Sequence, residues 1–385
     1  MKTHGRVDSR GGLAWLVGLG LLMVAVGSFA APPLVYKVVG VSVTDIGTLG
    51  GDWAVAWDIN NRGHIVGMSK TSLAEDHAFF YKSGAMYDIS PPFAAGGSEA
   101  RAINYYDEVA ANYGDVSYRV GDHAYRWEGG VAYPLTDTDP FGVPGRSRAW
   151  GISDRSLIAG QRIATSPANT AAVVWTSDTT YVQLSVAVAG DNSYARDVNS
   201  GGLIVGHQGS DHTPRRWRLL PFGIVVSDIA PSPLPVAMFS SGGLEGVNKS
   251  GAVAGQIQCC IGTPSVRRHA WTWNGVSAAG AHIGVLWPGG FSQGEDINNN
   301  GIVAGYAQRP APPDPYSDEW DAAFLYHRDF GRYLLPRLSR VYHSCRASAL
   351  NDLSSGVVQV VGVCLQELGK FRAVRWDVKV EQVPL

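Results

Sequence analysis

Charge is scarce in this chain of 385 residues. Asp, Glu, Lys and Arg make up only 17% and leave a formal net charge of -2. A basic face that could follow a phosphate backbone is therefore missing, which excludes nucleic acid as a partner. Helix-forming Glu, Lys and Met are thinly supplied, with 5 Met in all, so a helical bundle is not expected. Beyond the first thirty residues no apolar run approaches the length of a membrane span. No Gly-x-Ser-x-Gly elbow, His-Glu-x-x-His pair, phosphate loop or dinucleotide fingerprint is present. The cysteines number 4, an even count that suits an oxidising compartment. Cys259 and Cys260 are adjacent while Cys345 and Cys364 stand far downstream, which is not zinc spacing.

Glycine and large aromatics are what the chain has in quantity: 47 Gly, 12 Trp and 16 Tyr in a sequence that is 45% hydrophobic. That composition suits strands and turns with a substantial core, and it excludes disorder. The N-terminus stands apart. Lys2, Arg6 and Arg10 precede an apolar run from Leu13 to Val26, which ends in Gly27-Ser28-Phe29-Ala30-Ala31. This is the pattern of a signal peptide over residues 1–30, cut after Ala30. An uncleaved anchor is the alternative, against which Pro32 and Pro33 stop any helix from continuing. Removal takes the net charge from -2 to -4. A secreted protein, extracellular or periplasmic, is expected, with no membrane span in the mature chain.

The mature part, residues 31–385, repeats itself. One unit reads Ala-x-x-Ile-Asn, a turn, an apolar strand ending in Gly, a variable loop, and a strand closed by an aromatic. The first copy runs Ala56 to Asn60, Ile65-Val66-Gly67, and His77-Ala78-Phe79-Phe80-Tyr81. Equivalents of Asn60 are Asn104, Ser153, Asn199, Asn248, Asn298 and Asn351; the closing aromatics are Tyr81, Trp127, Trp175, Trp217, Trp273, Tyr326 and Trp376. Seven copies about fifty residues apart, each with four short strands, predict a seven-bladed β-propeller of four-stranded antiparallel blades. An open β-solenoid is the structural alternative. The small residue four before each Asn (Ala56, Ala100, Ala149, Ala195, Gly294, Ala347, with Leu244 the exception) is expected where blades crowd together near the channel. Asn and the following Gly are expected to supply left-handed turn positions.

These motifs resemble the HAF repeat, an extracellular bacterial repeat family named for its His-Ala-Phe motif. Thr44-Asp45-Ile46-Gly47-Thr48-Leu49-Gly50-Gly51, Ile59-Asn60, Ile65-Val66-Gly67 and His77-Ala78-Phe79 fit its pattern, which fades in later copies. The resemblance implies export and a repeat fold. It implies no reaction and carries over no catalytic residue.

Asp296-Ile297-Asn298-Asn299-Asn300-Gly301 begins like a calcium loop, but Ala304 and Ala307 stand where later oxygen ligands belong. Turn capping by the Asp is the better reading, so no cofactor is expected and calcium is the minor alternative. His77, His123 and His269 recur in separate copies, which favours local hydrogen bonds over a metal or acid–base set. The closing aromatics read as core.

Three expectations follow from the alternation of strand direction. First, the segment Tyr36 to Ile46 should pair with the seventh blade and close the ring, with Val378 to Val380 available as a further short strand. Second, Cys345 and Cys364 should form a disulfide across a hairpin. Partners in the first copy sum to 123; recentring the longer seventh turn between Ser354 and Ser355 gives 709, which is 345 plus 364. Third, both long loops of each unit fall at one end, where binding residues are expected. Candidates there are Tyr316, Asp318, Glu319, Trp320, Trp287, Phe291, Tyr113, Tyr118, His212, Tyr342 and His343. Their alternative role is to pin their own loops. The sequence thus points to an exported non-catalytic module that binds a polysaccharide, a cell-surface component or a protein. An exported glycoside hydrolase or polysaccharide lyase is the second reading, and a structural envelope protein the third. An enzyme would gather carboxylates in one pocket near the axis, whereas a binding module would show an aromatic face without strongly shifted pKa values.

Overall fold

The computed structural model describes residues 33–94, 96–114, 123–138, 142–143, 145–165, 168–185, 192–209, 212–220, 223–228, 239–259, 267–275, 280–308, 321–366 and 370–385. The expected leader, 1–30, lies outside these residues. Regular structure among them is all strand, arranged as seven antiparallel sheets of four strands. Blade 1 comprises Gly50–Ile59, Ile65–Thr71, Asp76–Lys82 and Ala85–Asp88, paired in chain order. The inner strands of blades 2 to 7 are Gly97–Ile103, Arg146–Ile152, Ser193–Val198, Phe239–Val247, Phe291–Ile297 and Tyr342–Leu350. The fold is the β-propeller that the repeat predicts.

The apolar core lies between blades. Val66, Ala78 and Phe80 of blade 1 pack with Ala100, Ile103, Val109 and Tyr125 of blade 2. The ring closes in the same way, because Ala54, Ile59 and Phe79 of blade 1 pack against Ala349, Val361 and Ala373 of blade 7. The small residues before the Asn sit in these seams. At Gly294 an added Cβ would lie 3.3 Å from the Gly255 backbone of the preceding blade. Leu244 is accommodated by Leu203 and Val205 of blade 4. Of the closing aromatics, Trp175, Trp217, Trp273 and Trp376 are buried, while Tyr81, Trp127 and Tyr326 are partly exposed.

Polar side chains stitch the blades together. The Asn248 Oδ1 accepts from the Ser250 and Ala252 amides of its own turn. Its Nδ2 donates to the Asn298 carbonyl of the next blade at 2.9 Å. Asn60, Asn104, Asn199 and Asn298 repeat this reach to the following blade. The Asn is therefore not the left-handed turn residue. Positive φ falls three positions later, at Gly63, Asp107, Ser156, Gly202, Gly251 and Gly301. A second stitch runs from the third strand of one blade to the inner strand of the next. The Ala78, Ala124, Ala172 and Ala270 amides donate to the buried hydroxyls of Ser98, Ser147, Ser193 and Ser292. Each bond satisfies an amide that would otherwise be buried without a partner.

Closure is made by the N-terminal strand Leu34–Asp45, which is the outermost strand of blade 7 and pairs antiparallel with Lys370–Pro384. Val378 to Val380 are not a separate strand; they continue the third strand of that blade, because residues this far along still find partners in both neighbours. Cys345 and Cys364 are directly opposed and bonded, with Cα atoms 4.1 Å apart. Cys260 lies outside the described residues. The bridge closes a short loop inside the blade 7 core. Replacing both cysteines by Ala is expected to cost about 3 kcal/mol of unfolding free energy in urea. A loss below about 1 kcal/mol would show that the bridge adds little.

Candidate functional site

All seven inner strands carry a β-bulge at the same place. The register slips between Ala56 and Asp58, Ala100 and Ala102, Ala149 and Gly151, Ala195 and Asp197, Leu244 and Gly246, Gly294 and Asp296, and Ala347 and Ala349. A bulge leaves one extra residue outside the ladder and re-aims it. Here the extra residues are Trp57, Arg101, Trp150, Arg196, Glu245, Glu295 and Ser348. Together they line one cavity of about 250 Å³ on the axis. Its rim is made by the short turns, with Asn61, Tyr105, Asp154, Ser200, Lys249, Asn299 and Asp352.

The ring is electrically lopsided. Arg101 lies 4.4 Å from the Trp57 ring centroid and 4.9 Å from that of Trp150. Arg148 and Arg196 also stack on Trp150, at 4.7 and 4.5 Å. Glu99, one layer deeper, holds Arg101 and Arg148 at 2.6 Å each. Burial would raise the Glu99 carboxyl, but these two guanidiniums overcome it and hold it below its ordinary value. Arg196 reaches across to Glu245 at 3.5 Å. Beyond Glu245, burial first and the Glu245 charge second push the Glu295 carboxyl up to about 8. Blades 2 to 4 thus present guanidinium and indole, and blades 5 and 6 present carboxyl groups.

A layer of aspartates lies nearer the mouth. Asp58, Asp197 and Asp296 each accept from their own following amide and from an amide of the next blade, Ile103, Val247 and Leu350. The capping role expected from sequence therefore extends across the blade seam. Burial, followed by mutual repulsion, raises Asp58 well above its ordinary value and Asp296 to about 7; burial raises Asp197 to about 6.

None of the described sequence-predicted candidates is among the residues lining this cavity. Tyr316, Asp318, Glu319, Trp320 and Tyr118 fall outside the described residues. Tyr113 packs on Phe93, His123 and Tyr125. Phe291 meets Tyr306 edge-on at 5.5 Å, and His212 packs at a tilt on His207 at 4.7 Å. Tyr342 is partly buried against the blade 7 core, and Trp287 against the core between blades 5 and 6. His343 sits in the inner strand of blade 7. The ring contacts of Tyr113, Phe291 and His212 stay within their own blade or the connection leading into it. His77, His123 and His269 make local hydrogen bonds, to Asp88 at 2.6 Å, Asp137 at 2.7 Å and His282 at 2.8 Å.

Sequence reasoning missed the axial ring. The signal was the first variable position of Ala-x-x-Ile-Asn. Neighbouring positions repeat because seven blades need the same packing, whereas this one carries Trp, Arg, Trp, Arg, Glu, Glu and Ser.

No protein-family model matches the chain, and no curated protein matches it in sequence. Solved structures are similar in fold. A protein of unknown function from Dyadobacter fermentans is 11% identical, with a TM-score of 0.42 over 90% of this chain and 99% of that one. The β-propeller domain of the Trilobed protease from Pyrococcus furiosus is 10% identical, with a TM-score of 0.47 over 86% and 95%. The Aleuria aurantia lectin, in complex with Fucα1-6GlcNAc, is 9% identical, with a TM-score of 0.40 over 75% and 97%. At such identities the likeness is one of fold alone.

Proposed function

We propose that this protein is an exported, non-catalytic binding module of the HAF-repeat type and that its ligand, a saccharide of the cell surface or its surroundings, is taken up in the axial cavity. The observation that carries this reading is the ring of bulge residues. The fold repeats every packing position around these side chains yet varies them, so they answer to something other than packing. Guanidinium, indole, carboxyl and hydroxyl groups converge on one cavity, which is how small hydroxylated ligands are held. Within the ring Arg196 is paired with Glu245, and Arg101 is held from below by Glu99.

One observation favours the enzyme reading. Glu245 and Glu295 place two carboxyl groups at the axis, one of them raised to about 8, as a general acid would need. The two readings separate experimentally. A glycan array, with mass spectrometry of what co-purifies with the exported protein, should find a bound saccharide that is released unaltered. Arg196→Ala and Trp150→Ala should weaken that binding by about tenfold or more. Replacing Tyr316, Trp320 and Trp287 together by Ala should leave it unchanged. Binding lost only in the triple variant would move the site to the long-loop end. Turnover abolished by Glu295→Gln would make the protein an enzyme.

A further inference from the structure

The outer seams between blades are not all closed alike. Between blades 2 and 3, the Trp175 indole N–H donates to the Thr136 carbonyl of the incoming connection at 2.8 Å. The Thr136 amide donates in turn to the Asp178 carbonyl, in the outer hairpin turn of blade 3. The Asp178 carboxylate holds Arg126 of blade 2 through two bonds, at 2.8 and 3.0 Å. Between blades 6 and 7, Trp376 likewise donates to the Pro336 carbonyl, at 2.7 Å.

The seam between blades 1 and 2 has the same framework without the polar plug. The Ile89, Leu135 and Leu335 amides each donate to an Ala carbonyl of the third strand, so Ser90 stands where Thr136 and Pro336 stand. Trp127 stands where Trp175 and Trp376 stand, three residues after that Ala. Among the described residues, however, the Trp127 indole N–H has no hydrogen-bond partner, and its ring meets Phe80 of blade 1 at 5.4 Å. Phe80 takes the place of Arg126. The turn is Gly129-Gly130, both with positive φ, where an added Cβ would meet nothing within 4 Å. The Ser90 amide is turned to Asp88 Oδ1 at 2.9 Å, and Pro91 and Pro92 after it have no N–H to offer. What remains is a cavity of about 500 Å³ lined by Phe80, Tyr87 and Trp127 with Lys82, Asp88 and Ser90. Trp217 Nε1 also lacks a partner, but it is buried. Trp127 is partly exposed and faces usable space.

We propose that this cavity is a second binding site, independent of the axial one, for a neutral saccharide unit. Its volume falls within the range of about 300–1,000 Å³ usual for small-ligand sites. Three rings offer flat apolar surfaces to the C–H face of a pyranose. Lys82 and Asp88 carry opposite charges, so the lining favours neither an anion nor a cation. Asp88 is fixed in place by the Ser90 amide and by His77 Nδ1 at 2.6 Å. Trp127 and Lys82 can donate, while Asp88 can accept. Hydroxyl groups do both. A proline-rich peptide, which aromatic grooves also take, brings carbonyls but few N–H groups and would leave Asp88 without a donor.

The test adds methyl glycosides of glucose, galactose, mannose and N-acetylglucosamine, and separately a polyproline peptide, to the protein carrying nitrogen-labelled tryptophan. The Trp127 indole resonance, assigned with Trp127→Phe, should move with at least one glycoside. Tyr87→Ala, at an exposed position, should weaken that glycoside by about tenfold with the thermal midpoint unchanged. Ala132→Leu, which fills the cavity from its wall, should do the same, and if it fails to fold Tyr87→Ala decides alone. The shift should persist in Arg196→Ala. A Trp127 shift that disappears in Arg196→Ala and survives Tyr87→Ala would place the sugar at the axis, overturning this site and leaving the axial reading intact. A larger shift with polyproline than with any glycoside would overturn the ligand class. No shift with any of them would overturn the site.

Discussion

Deletion of residues 34–45 is expected to abolish cooperative folding. This strand is held to Lys370–Pro384 by eleven register pairs. Roughly ten backbone hydrogen bonds are at stake, at about 0.5–1.5 kcal/mol each. Tyr36, Val38, Val41 and Val43 pack on the blade 7 core and add about 1 kcal/mol apiece. The Asp45–Arg372 pair at 2.8 Å and the Tyr36 amide to Asp329 at 2.9 Å tie down the two ends. Together these reach on the order of 10 kcal/mol, comparable to the whole stability of a typical domain. Deletion also bares a 15-residue edge, and a long unpaired edge invites association with other chains. The measurements are urea unfolding followed by tryptophan fluorescence, and size-exclusion chromatography. A synthetic peptide of residues 34–45 should restore the cooperative transition in trans. A truncated chain that stays monomeric and unfolds at an unchanged midpoint would mean that three strands suffice for the last blade.

Blade count, ring closure and the disulfide were legible because each depends on strand periodicity, which a repeated sequence displays several times over. The disulfide shows how far such reasoning reaches. Centring the seventh turn between Ser354 and Ser355 predicts that partners sum to 709. In the structure, the pairs nearest the turn, such as Leu350 with Val360, sum to 710, and the bulge at Ser348 returns the register to 709 at Cys345 and Cys364. Blade 1 makes the same slip, with Ile59 opposite Ile65 but Ala56 opposite Gly67. The pairing was predicted with the bulge unseen, since counting from one copy to another carries a shared irregularity along.

That same bulge is why the axial site was not legible. Strand alternation assigns every residue to one of two faces, and an extra residue belongs to neither. Trp57 or Glu295, read alone, is an ordinary strand residue. Only their convergence on one axis makes them a candidate site, and convergence comes from ring closure rather than from any local pattern. The inter-blade roles of Asn248 and Ser292 were hidden for a related reason. Their turn and strand preferences are local, but their partners lie one blade away. Long loops rich in Tyr and Trp are visible in sequence as composition, whereas convergence on an axis is not.

Stability is expected to fall as pH rises from 6.5 to 9. The axial carboxyls have folded-state values above their unfolded ones: Glu295 at about 8, Asp296 at about 7, Asp197 at about 6 and Asp58 well above the ordinary range. A raised carboxyl binds its proton more tightly in the folded protein. Its contribution is complete below the unfolded pKa and is lost as pH passes the folded one. Histidines work in the opposite sense below 6.5. His207, His269, His282 and His327 are lowered by burial, so acidification costs stability there and flattens the profile. Above 6.5 they are neutral in both states, and Glu295 and Asp296 dominate. Glu295 faces Glu245, Arg196, Arg346 and Gln293. Between pH 6.5 and its value near 8 it should surrender about 2 kcal/mol, at 1.36 kcal/mol per pH unit. Glu295→Gln keeps the shape of the protonated carboxyl without its proton. Urea midpoints at pH 6.5, 7.5 and 9 should therefore fall less steeply in this variant, which should be the more stable protein at pH 9. Parallel profiles for the two proteins across that range would show that Glu295 is ionised at neutral pH and that the acidic half of the ring carries full charge.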